Sequence, residues 1–292
     1  MSDFSYTLMT DSTCDLTPEY LRSVNVPAIA LSYTINGETH FDGNYEGAAT
    51  IESFYELQRQ GQRATTSQIS STQYIEGMSP YLEKGDLIYL CFSSALSGSY
   101  ASACVAGEEL RLKYPNRTLY IIDTRAASLG EGLLVMHAVQ KRDDGLSIHE
   151  LKEWVELNWR NYCHIVTVDN LHHLRMGGRI SAATEFIGSI FDIKPMIYLN
   201  LEGKLIPDGK ARGRKRSLDK LVAQTKADIV NPEEQILTIC HGDCLADAKY
   251  VRERLIKEVG VKDVLIGYTG TVIGSHTGPG VLAVFFVGNN RK

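Results

Sequence analysis

Apolar and polar residues follow one another along this chain in blocks that predict strands and helices in turn. Residues 87–92 form a nearly continuous apolar run, which is typical of a strand buried on both faces of a parallel sheet. A helical pattern follows from Tyr100 and stops before Pro115, because proline breaks a helix interior. Residues 6–9 and residues 118–123 are also predicted strands, and each is followed by a polar loop and a helix. The pattern therefore predicts an α/β fold whose first sheet is mainly parallel.

Further elements are predicted between these units of the first half. Residues 26–35 read as one strand, and Asn36-Gly37 is a strong hairpin signal before residues 38–41. Thr17 and Pro18 suit the N-cap and the first position of a helix. Residues 51–60 have the amphipathic spacing of a helix. Two more helices are predicted, one that follows residues 65–68 and ends near residue 82, and one from the loop at Ser128 to about residue 142.

A second α/β unit is predicted after Asp143-Asp144-Gly145 and a helix over residues 147–159. Its strands are predicted at residues 163–168, 196–199, 236–240, 264–268 and 281–287. Its helices are predicted at residues 171–176, from about Ser181, around Leu218 and over residues 245–259. Glu202-Gly203-Lys204 turns a hairpin, so this sheet is expected to be mixed rather than purely parallel.

Three polar loops, near Asp11, Ser97 and Ser128, follow three of the predicted parallel strands. The carboxyl ends of such strands lie at one edge of a sheet, where ligands bind. The serine-rich loop ahead of Tyr100 also offers free N–H groups, a helix dipole and hydroxyls to an anion. The alternatives are that Ser97 or Ser99 only caps a helix, and that Asp11 only forms an Asx turn. The coincidence of three similar loops favours a shared ligand site.

His276 is enclosed by Gly274, Gly278 and Gly280 ahead of the last apolar run. These glycines predict a loop whose backbone approaches another group closely and whose imidazole faces a cavity. The alternative is a glycine-rich turn that carries an exposed histidine.

Composition narrows the class of protein. The chain has 292 residues, 43% of them hydrophobic and 22% charged, which is ordinary for a globular protein and long enough for two domains. The N-terminus shows no signal-peptide pattern and no apolar run is long enough to cross a bilayer, so we expect a cytoplasmic protein without stable membrane insertion. The six cysteines are scattered through apolar runs, and Cys240 and Cys244 lack a second ligand pair, so we expect reduced thiols and no metal.

Several short motifs, taken together, resemble the DegV family, the fatty-acid-binding subunits of bacterial fatty acid kinase. In the first half the matching motifs are Asp11-Ser12-Thr13-Cys14-Asp15-Leu16, Thr66-Ser67-Gln68, Leu96-Ser97-Gly98-Ser99-Tyr100 and Asp123 with Ser128, Gly130 and Gly132. In the second half they are Gly177-Gly178-Arg179-Ile180-Ser181, Lys194-Pro195, Ala211-Arg212 and His276-Thr277-Gly278-Pro279-Gly280. Ile69 and Ser99 depart from the family pattern, which often has proline and threonine at these positions.

The resemblance implies two α/β domains, at residues 1–160 and 161–292, the second a smaller domain with a mixed sheet. It implies a long-chain fatty acid as ligand, with Thr66, Ser67, Ser97, Gly98 and His276 around its carboxylate. Arg179, Arg212 and His276 match residues that support phosphoryl transfer. The family protein is not itself an enzyme and uses no cofactor. It presents the acyl carboxylate to a separate ATP-dependent fatty acid kinase, which makes an acyl phosphate for phospholipid synthesis in bacteria.

Two other classes of function are weighed against this one. Ser97, Asp123 and His276 occur in the order found in serine hydrolases of the α/β type, but the G-x-S-x-G elbow around the nucleophile is absent. A nucleic-acid-binding protein would use the basic stretch Arg212-Gly213-Arg214-Lys215-Arg216. That stretch is short and lacks interleaved aromatic residues, and the formal net charge of -5 speaks against nucleic acid as the main partner.

Overall fold

The computed structural model describes residues 5–43, 50–180, 192–289 and 291–292. In the first half the strands are β1 (Tyr6–Asp11), β2 (Ala28–Ile29), β3 (Ser32–Ile35), β4 (Glu38–Phe41), β5 (Thr65–Ser67), β6 (Asp86–Cys91) and β7 (Leu119–Asp123). The helices are α1 (Pro18–Ser23), α2 (Ile51–Arg59), α3 (Ser71–Leu82), α4 (Ser99–Lys113), α5 (Leu129–Asp143) and α6 (Ile148–Asn158).

In the second half the strands are β8 (Tyr162–Thr167), β9 (Ile193–Leu199), β10 (Leu205–Arg212), β11 (Ile236–His241), β12 (Asp263–Tyr268) and β13 (Leu282–Val287). The helices are α7 (His172–Met176), α8 (Arg214–Asp228), α9 (Leu245–Arg254) and α10 (Thr271–Thr277). The helix expected from about Ser181 lies outside the described residues.

The first sheet is parallel, with strand order β2-β1-β6-β7. Its central strand β6 is buried on both faces except at its first residue, as its unbroken apolar run predicts. The second sheet has the order β10-β9-β8-β13-β11-β12 and is mixed, since β11 and β12 are parallel and the other neighbouring strands are antiparallel. Both predictions, an α/β fold with a mainly parallel first sheet and a mixed second sheet, are confirmed.

A third sheet, with the antiparallel order β4-β3-β5, does not follow from the sequence. Residues 26–35 are not one strand: β2 joins the parallel sheet and β3 joins this small one. The hairpin prediction is correct, because Asn36 and Gly37 both have positive φ values, 53° and 81°, as a tight two-residue turn requires. This small sheet matters for the site because it carries Thr66 in β5.

Helix α5 lies between the two larger sheets and is buried along most of its length. Its Glu131 carboxylate accepts hydrogen bonds from Thr10 at 3.2 Å and Thr13 at 3.3 Å, both in the first half. At the start of the same helix the Leu129 carbonyl accepts a hydrogen bond from Thr238, in β11, at 3.0 Å. One hydrophobic core therefore contains residues of both halves, and the boundary predicted near residue 160 stays a prediction.

The predicted N-cap of α1 is observed, since Thr17 accepts a hydrogen bond from the Tyr20 N–H. Helix α6 begins with a capping box formed by Ser147 and Glu150. Residues 274–277, the first part of the predicted glycine-rich loop, instead form the last turn of α10. In the described part of the chain, no helix is long and apolar enough to cross a membrane.

Candidate functional site

A cavity of about 300 Å³ lies between the carboxyl edge of the parallel sheet, one face of the mixed sheet, and α10. Most of its lining is apolar, and the side chains that contribute are Leu31, Phe92, Leu96, Ala127, Val166, Leu174, Ile197, Leu199, Leu205, Val272, Ile273, Val281, Ala283 and Phe285. Among the described lining residues, Arg179 is the one with a full formal charge. The cavity thus suits a ligand with a long apolar part.

Thr66 and His276 meet at one end of this cavity. Thr66 lies in β5 and is placed there by pairing with Tyr33 of β3. His276 lies in the last turn of α10, and its Nε2 is 2.8 Å from the Thr66 hydroxyl. Burial and the nearby Arg179 lower the pKa of His276 to about 4, so the imidazole is neutral at neutral pH. Its Nδ1 is buried and makes no hydrogen bond.

Arg179 reaches the same end of the cavity from the loop after α7. Its Nε donates to the Leu96 carbonyl at 3.0 Å and its Nη1 donates to the Gly177 carbonyl at 2.6 Å. Partial burial lowers the pKa of the guanidinium from its usual value. The bond to Leu96 fixes this second-half arginine next to the Ser97 loop of the first half.

Gly177 and Gly178 allow the chain to make this approach. A Cβ atom on Gly177 would lie 2.2 Å from Nδ1 of His276, so only glycine fits beside the imidazole. Gly178 has a φ of +70° and open space around it, which is the reversal expected after a helix. Glycine is therefore required at position 177 by close contact and favoured at position 178 by backbone conformation. Ser181, at the end of the motif, lies outside the described residues.

Ser97, Gly98 and Ser99 form the corner between β6 and α4. The Ser97 hydroxyl lies 2.9 Å from the Ser99 hydroxyl and accepts a hydrogen bond from the Ser99 N–H at 3.2 Å. The N-cap is Gly98, and it has no side-chain cap, so neither serine is the N-cap residue. The half-buried Ser97 and the N-cap residue Gly98 line the cavity, so polar groups at the start of α4 lie next to it.

The loops at Thr66 and Ser97 are packed on each other. A Cβ on Gly98 would lie 2.0 Å from the Gln68 side-chain oxygen, and the Ser99 hydroxyl accepts a hydrogen bond from the Ile69 N–H at 3.3 Å. Ser67 and Gly98 are exposed at the cavity opening. The structure thus brings Thr66, Ser67, Ser97, Gly98, Arg179 and His276 together at one polar mouth.

Arg212 is not part of this mouth. It is exposed at the end of β10 and lines neither the cavity nor the pocket outside it. Arg212 thus lies on an edge strand of the mixed sheet and is not among the residues that line the cavity with Arg179 and His276, so its role in phosphoryl transfer stays a prediction.

Of the three polar loops expected to share a site, two line the cavity, at Ser97 and Ser128. Asp11 instead is fully buried, and its carboxylate accepts hydrogen bonds from Thr13 N–H at 3.1 Å, Tyr89 hydroxyl at 2.7 Å and Phe92 N–H at 3.1 Å. Asp11 therefore holds the loops after β1 and β6 together, in agreement with the alternative that it forms a local turn and binds no ligand. Burial raises its pKa.

The hydrogen bonds do not link Ser97, Asp123 and His276 into a hydrolase triad. Asp123 accepts from Ser94 and from the Arg125 N–H, while His276 pairs with Thr66 and Ser97 with Ser99. A nucleophile of that class needs its base within hydrogen-bond reach, so this geometry does not support the hydrolase alternative.

A second pocket, also of about 300 Å³, lies outside the mouth and shares Thr66, Arg179 and His276 with the cavity. We call it the outer pocket. Arg63, His172 and His173 also line it, and no Asp or Glu is among its described lining residues. The two adjacent histidines, His172 and His173, are not predicted as site residues, although a His-His pair beside the Gly177-Gly178 motif is visible in the sequence.

Comparison with known proteins now defines the family. The sequence model of the family described as "Uncharacterised protein, DegV family" matches residues 5–289 of this chain. A DegV domain-containing protein of Clostridium perfringens is 44% identical over 288 residues, which cover 98% of this chain and 99% of that protein.

Two solved structures have the same fold and concern fatty acid binding. A DegV family protein from Thermus thermophilus, described for its fatty acid binding, aligns with a TM-score of 0.87 and 28% identity over 97% of this chain and 99% of that one. A DegV family protein from Ruminococcus gnavus, solved with vaccenic acid, aligns with a TM-score of 0.86 and 26% identity over 97% of this chain and all of that one. The family resemblance found in the motifs is thus confirmed.

Proposed function

The chain belongs to the DegV family, and from that premise we propose that it binds one long-chain fatty acid with the carboxylate at the polar mouth. One observation carries this proposal: an apolar cavity at one end of which Arg179, the charged residue among the described lining residues, lies with Thr66, Ser97 and His276. The relatives from Thermus thermophilus and Ruminococcus gnavus, which are described with fatty acids, support it.

The alkyl chain supplies most of the affinity. Each buried methylene contributes about 0.8 kcal/mol, so a chain of about 14 methylenes contributes on the order of 10 kcal/mol. The walls contributed by Leu, Ile, Val and Phe side chains make no demand for hydrogen bonds, so most of the tail contacts surfaces that match it.

The carboxylate is the difficult part of the ligand, since burying it without partners costs several kcal/mol. We place the proton of neutral His276 on Nε2, from which it donates to the Thr66 oxygen. The Thr66 hydroxyl proton is then available to the carboxylate, together with the Ser97 hydroxyl and the N–H groups at the start of α4. Hydrogen bonds of this kind hold the oxygens and leave them nucleophilic.

We also propose that a separate enzyme acts on the fatty acid while this protein holds it. The protein is a carrier subunit without a cofactor of its own, and an ATP-dependent fatty acid kinase phosphorylates the bound acid in the cytoplasm, for phospholipid synthesis. The outer pocket supports this step, because it shares Thr66, Arg179 and His276 with the cavity and so adjoins the proposed carboxylate site. None of its described lining residues is Asp or Glu, so no carboxylate among them would repel a phosphate group. Arg179 is positioned to stabilise the charge added with the phosphate.

Displacement of a fluorescent fatty acid tests the binding step. Thr66→Val keeps the shape of the side chain and removes its hydroxyl, so we expect affinity to fall about tenfold or more, as for a hydrogen bond to a charged group. Thr39→Val is the matched control, because Thr39 is exposed in β4 and is not among the residues that line the cavity, and its hydroxyl pairs with that of Thr34 at 2.9 Å. Equal affinity for both variants and the unmodified protein would contradict the proposed head-group site.

Reconstitution with ATP and a bacterial fatty acid kinase tests the transfer step. Acyl phosphate is expected only when this protein, the kinase and the acid are all present, and Arg179→Gln should reduce the rate more than it reduces fatty acid binding. Binding without any acyl phosphate would reject the carrier role and leave the fatty acid site in place.

A further inference from the structure

The cavity contains a second polar group, Thr269, in addition to its polar mouth. Among the described residues that line the cavity, two side chains carry a buried polar atom that makes no hydrogen bond: His276, through Nδ1, and Thr269, through its hydroxyl. His276 belongs to the mouth. Thr269 has no exposed surface, so bulk water does not reach it. A buried hydroxyl without a partner is destabilising, and valine would fill the same space without this penalty.

The groups next to Thr269 do not satisfy it. The Cys240 thiol interacts with the hydroxyls of Thr269 and Ser128, but its approach to the Thr269 hydroxyl does not have the distance and angle of a hydrogen bond. Burial raises the pKa of this thiol to about 12, so it is neutral and at best a weak partner. Ser128 already donates to Asp15. The buried His164 of the same cavity accepts from the Ala127 N–H at 3.4 Å and pairs through Nδ1 with the Tyr162 carbonyl at 2.9 Å. Thr269 is therefore the hydroxyl that this polar cluster leaves for a ligand.

Thr269 lies at the distance from the polar mouth where the middle of a bound acyl chain would be. It precedes α10, while His276 lies in the last turn of that helix, and Val272 and Ile273 between them also line the cavity. From the N-cap Gly270 to His276, six steps with a rise of about 1.5 Å each span about 9 Å along the helix. Thr269 lies one residue before the cap, so Thr269 and His276 are on the order of 10 Å apart. An extended alkyl chain with bonds of about 1.5 Å covers that distance in about eight carbons.

We propose that the cavity recognises a long-chain fatty acid with a hydroxyl group near the middle of its chain, and that Thr269 hydrogen-bonds this hydroxyl. The inference rests on the proposed fatty acid binding and adds the chemical class of the acid. A plain hydrocarbon chain leaves Thr269 unpaired, whereas a hydroxylated chain pairs it and has its own hydroxyl paired in return. The selectivity arises from this second contact and not from the carboxylate, which is common to both acids.

Isothermal titration of the delipidated protein tests the inference with octadecanoic acid, an isomer hydroxylated near mid-chain, and an isomer hydroxylated beside the carboxylate. We expect the unmodified protein to prefer the mid-chain isomer to octadecanoic acid. In Thr269→Val this preference, measured as the ratio of the two affinities in the same protein, should fall about fivefold, as for one hydrogen bond. Thr277→Val is the matched control, because Thr277 also lines the cavity but donates to the Ile273 carbonyl at 3.1 Å.

The outcomes separate this inference from the proposed function. Equal preference ratios in the unmodified protein and Thr269→Val, with octadecanoic acid still bound, overturn the hydroxyl contact and leave fatty acid binding intact. The same holds if a trapped water pairs Thr269, since the three acids then bind alike. Binding of none of the acids rejects both proposals. Should Thr269→Val not fold, the unmodified protein decides: no preference between the mid-chain isomer and the isomer hydroxylated beside the carboxylate overturns the inference.

Discussion

The neutral imidazole of His276 is held by contacts that leave no room for one extra carbon beside it. A Cβ on Gly177 would lie 2.2 Å from Nδ1, which is closer than any unstrained contact. In Gly177→Ala the ring must therefore turn away from Thr66, and we expect fatty acid affinity to fall about tenfold, as for the loss of a head-group hydrogen bond. Displacement of a fluorescent fatty acid measures this change.

Gly178→Ala is the control for this prediction. Its φ of +70° makes alanine strained, but nothing lies within 4 Å of the added carbon. We expect a loss of about 1 kcal/mol in the free energy of unfolding with unchanged affinity. If Gly177→Ala binds as well as Gly178→Ala does, the imidazole is not part of the head-group site.

The same histidine predicts a pH dependence of stability. Burial and Arg179 lower the pKa of His276 to about 4 in the folded protein, from its usual value of 6.5. Between these values the unfolded chain binds the proton and the folded protein does not, so the free energy of unfolding decreases as the pH falls from 6.5 to about 4. His164 is buried, its pKa is lowered well below the usual value, and it adds to the slope.

Urea unfolding of the unmodified protein and His276→Gln over this range isolates the contribution of His276. We expect a shallower decrease for the variant, because glutamine does not titrate. Parallel curves for the two proteins would show that the imidazole is not buried as a neutral group.

Local patterns mark Ser97 and His276 as candidates, because each lies in a short polar or glycine-containing segment between apolar runs. Thr66 and Arg179 are assigned by the family resemblance and not by such a pattern. Arg212 and Thr269 show what a local pattern does not give. Whether an arginine points inward depends on which strand becomes the sheet edge, and a buried hydroxyl such as Thr269 leaves no pattern in the sequence around it.

At the scale of whole elements, the packing of α5 between the two larger sheets supports the cavity. A Cβ on Gly132 would lie 2.6 Å from the Cys14 carbonyl oxygen, which is backbone and has little freedom to move. We expect Gly132→Ala to lower the free energy of unfolding by about 2 kcal/mol, because overpacking displaces the helix. Urea denaturation measures this loss.

Gly85→Ala is the matched control, since its nearest neighbour, the Ser5 carbonyl oxygen, is 3.7 Å away in ordinary contact. Its stability should stay within about 0.5 kcal/mol of the unmodified protein. Equal stability of the two alanine variants would mean that α5 does not pack as closely on the Cys14 loop as the structure shows.

Elements with a strong period were predictable, and elements defined by distant partners were not. The apolar run of β6 and the amphipathic spacing of α2 depend on neighbouring residues only, and both appear as expected. Residues 26–35 have the composition of one strand, yet β2 pairs with β1 whereas β3 pairs with β4 and β5. Likewise α10 contains glycine and β-branched residues with low helix propensity, and its contacts with α7, β3 and β5 override that preference.

At the scale of the whole molecule, the mouth exists only when both halves are folded together. Thr66 and His276 are 210 positions apart in the chain, and Arg179 is bonded across the halves to Leu96, 83 positions away. No single segment contains the site, so its residues could be proposed from motifs but their contacts could not. The apolar cavity and its one polar end are properties of the assembled fold.

Native mass spectrometry of the purified protein, before and after removal of lipid and addition of a long-chain fatty acid, tests the central claim most directly. We expect one fatty acid per chain, lost on delipidation and regained on addition, with weaker retention in Thr66→Val. A protein that carries no fatty acid as purified and takes up none on addition would contradict the account.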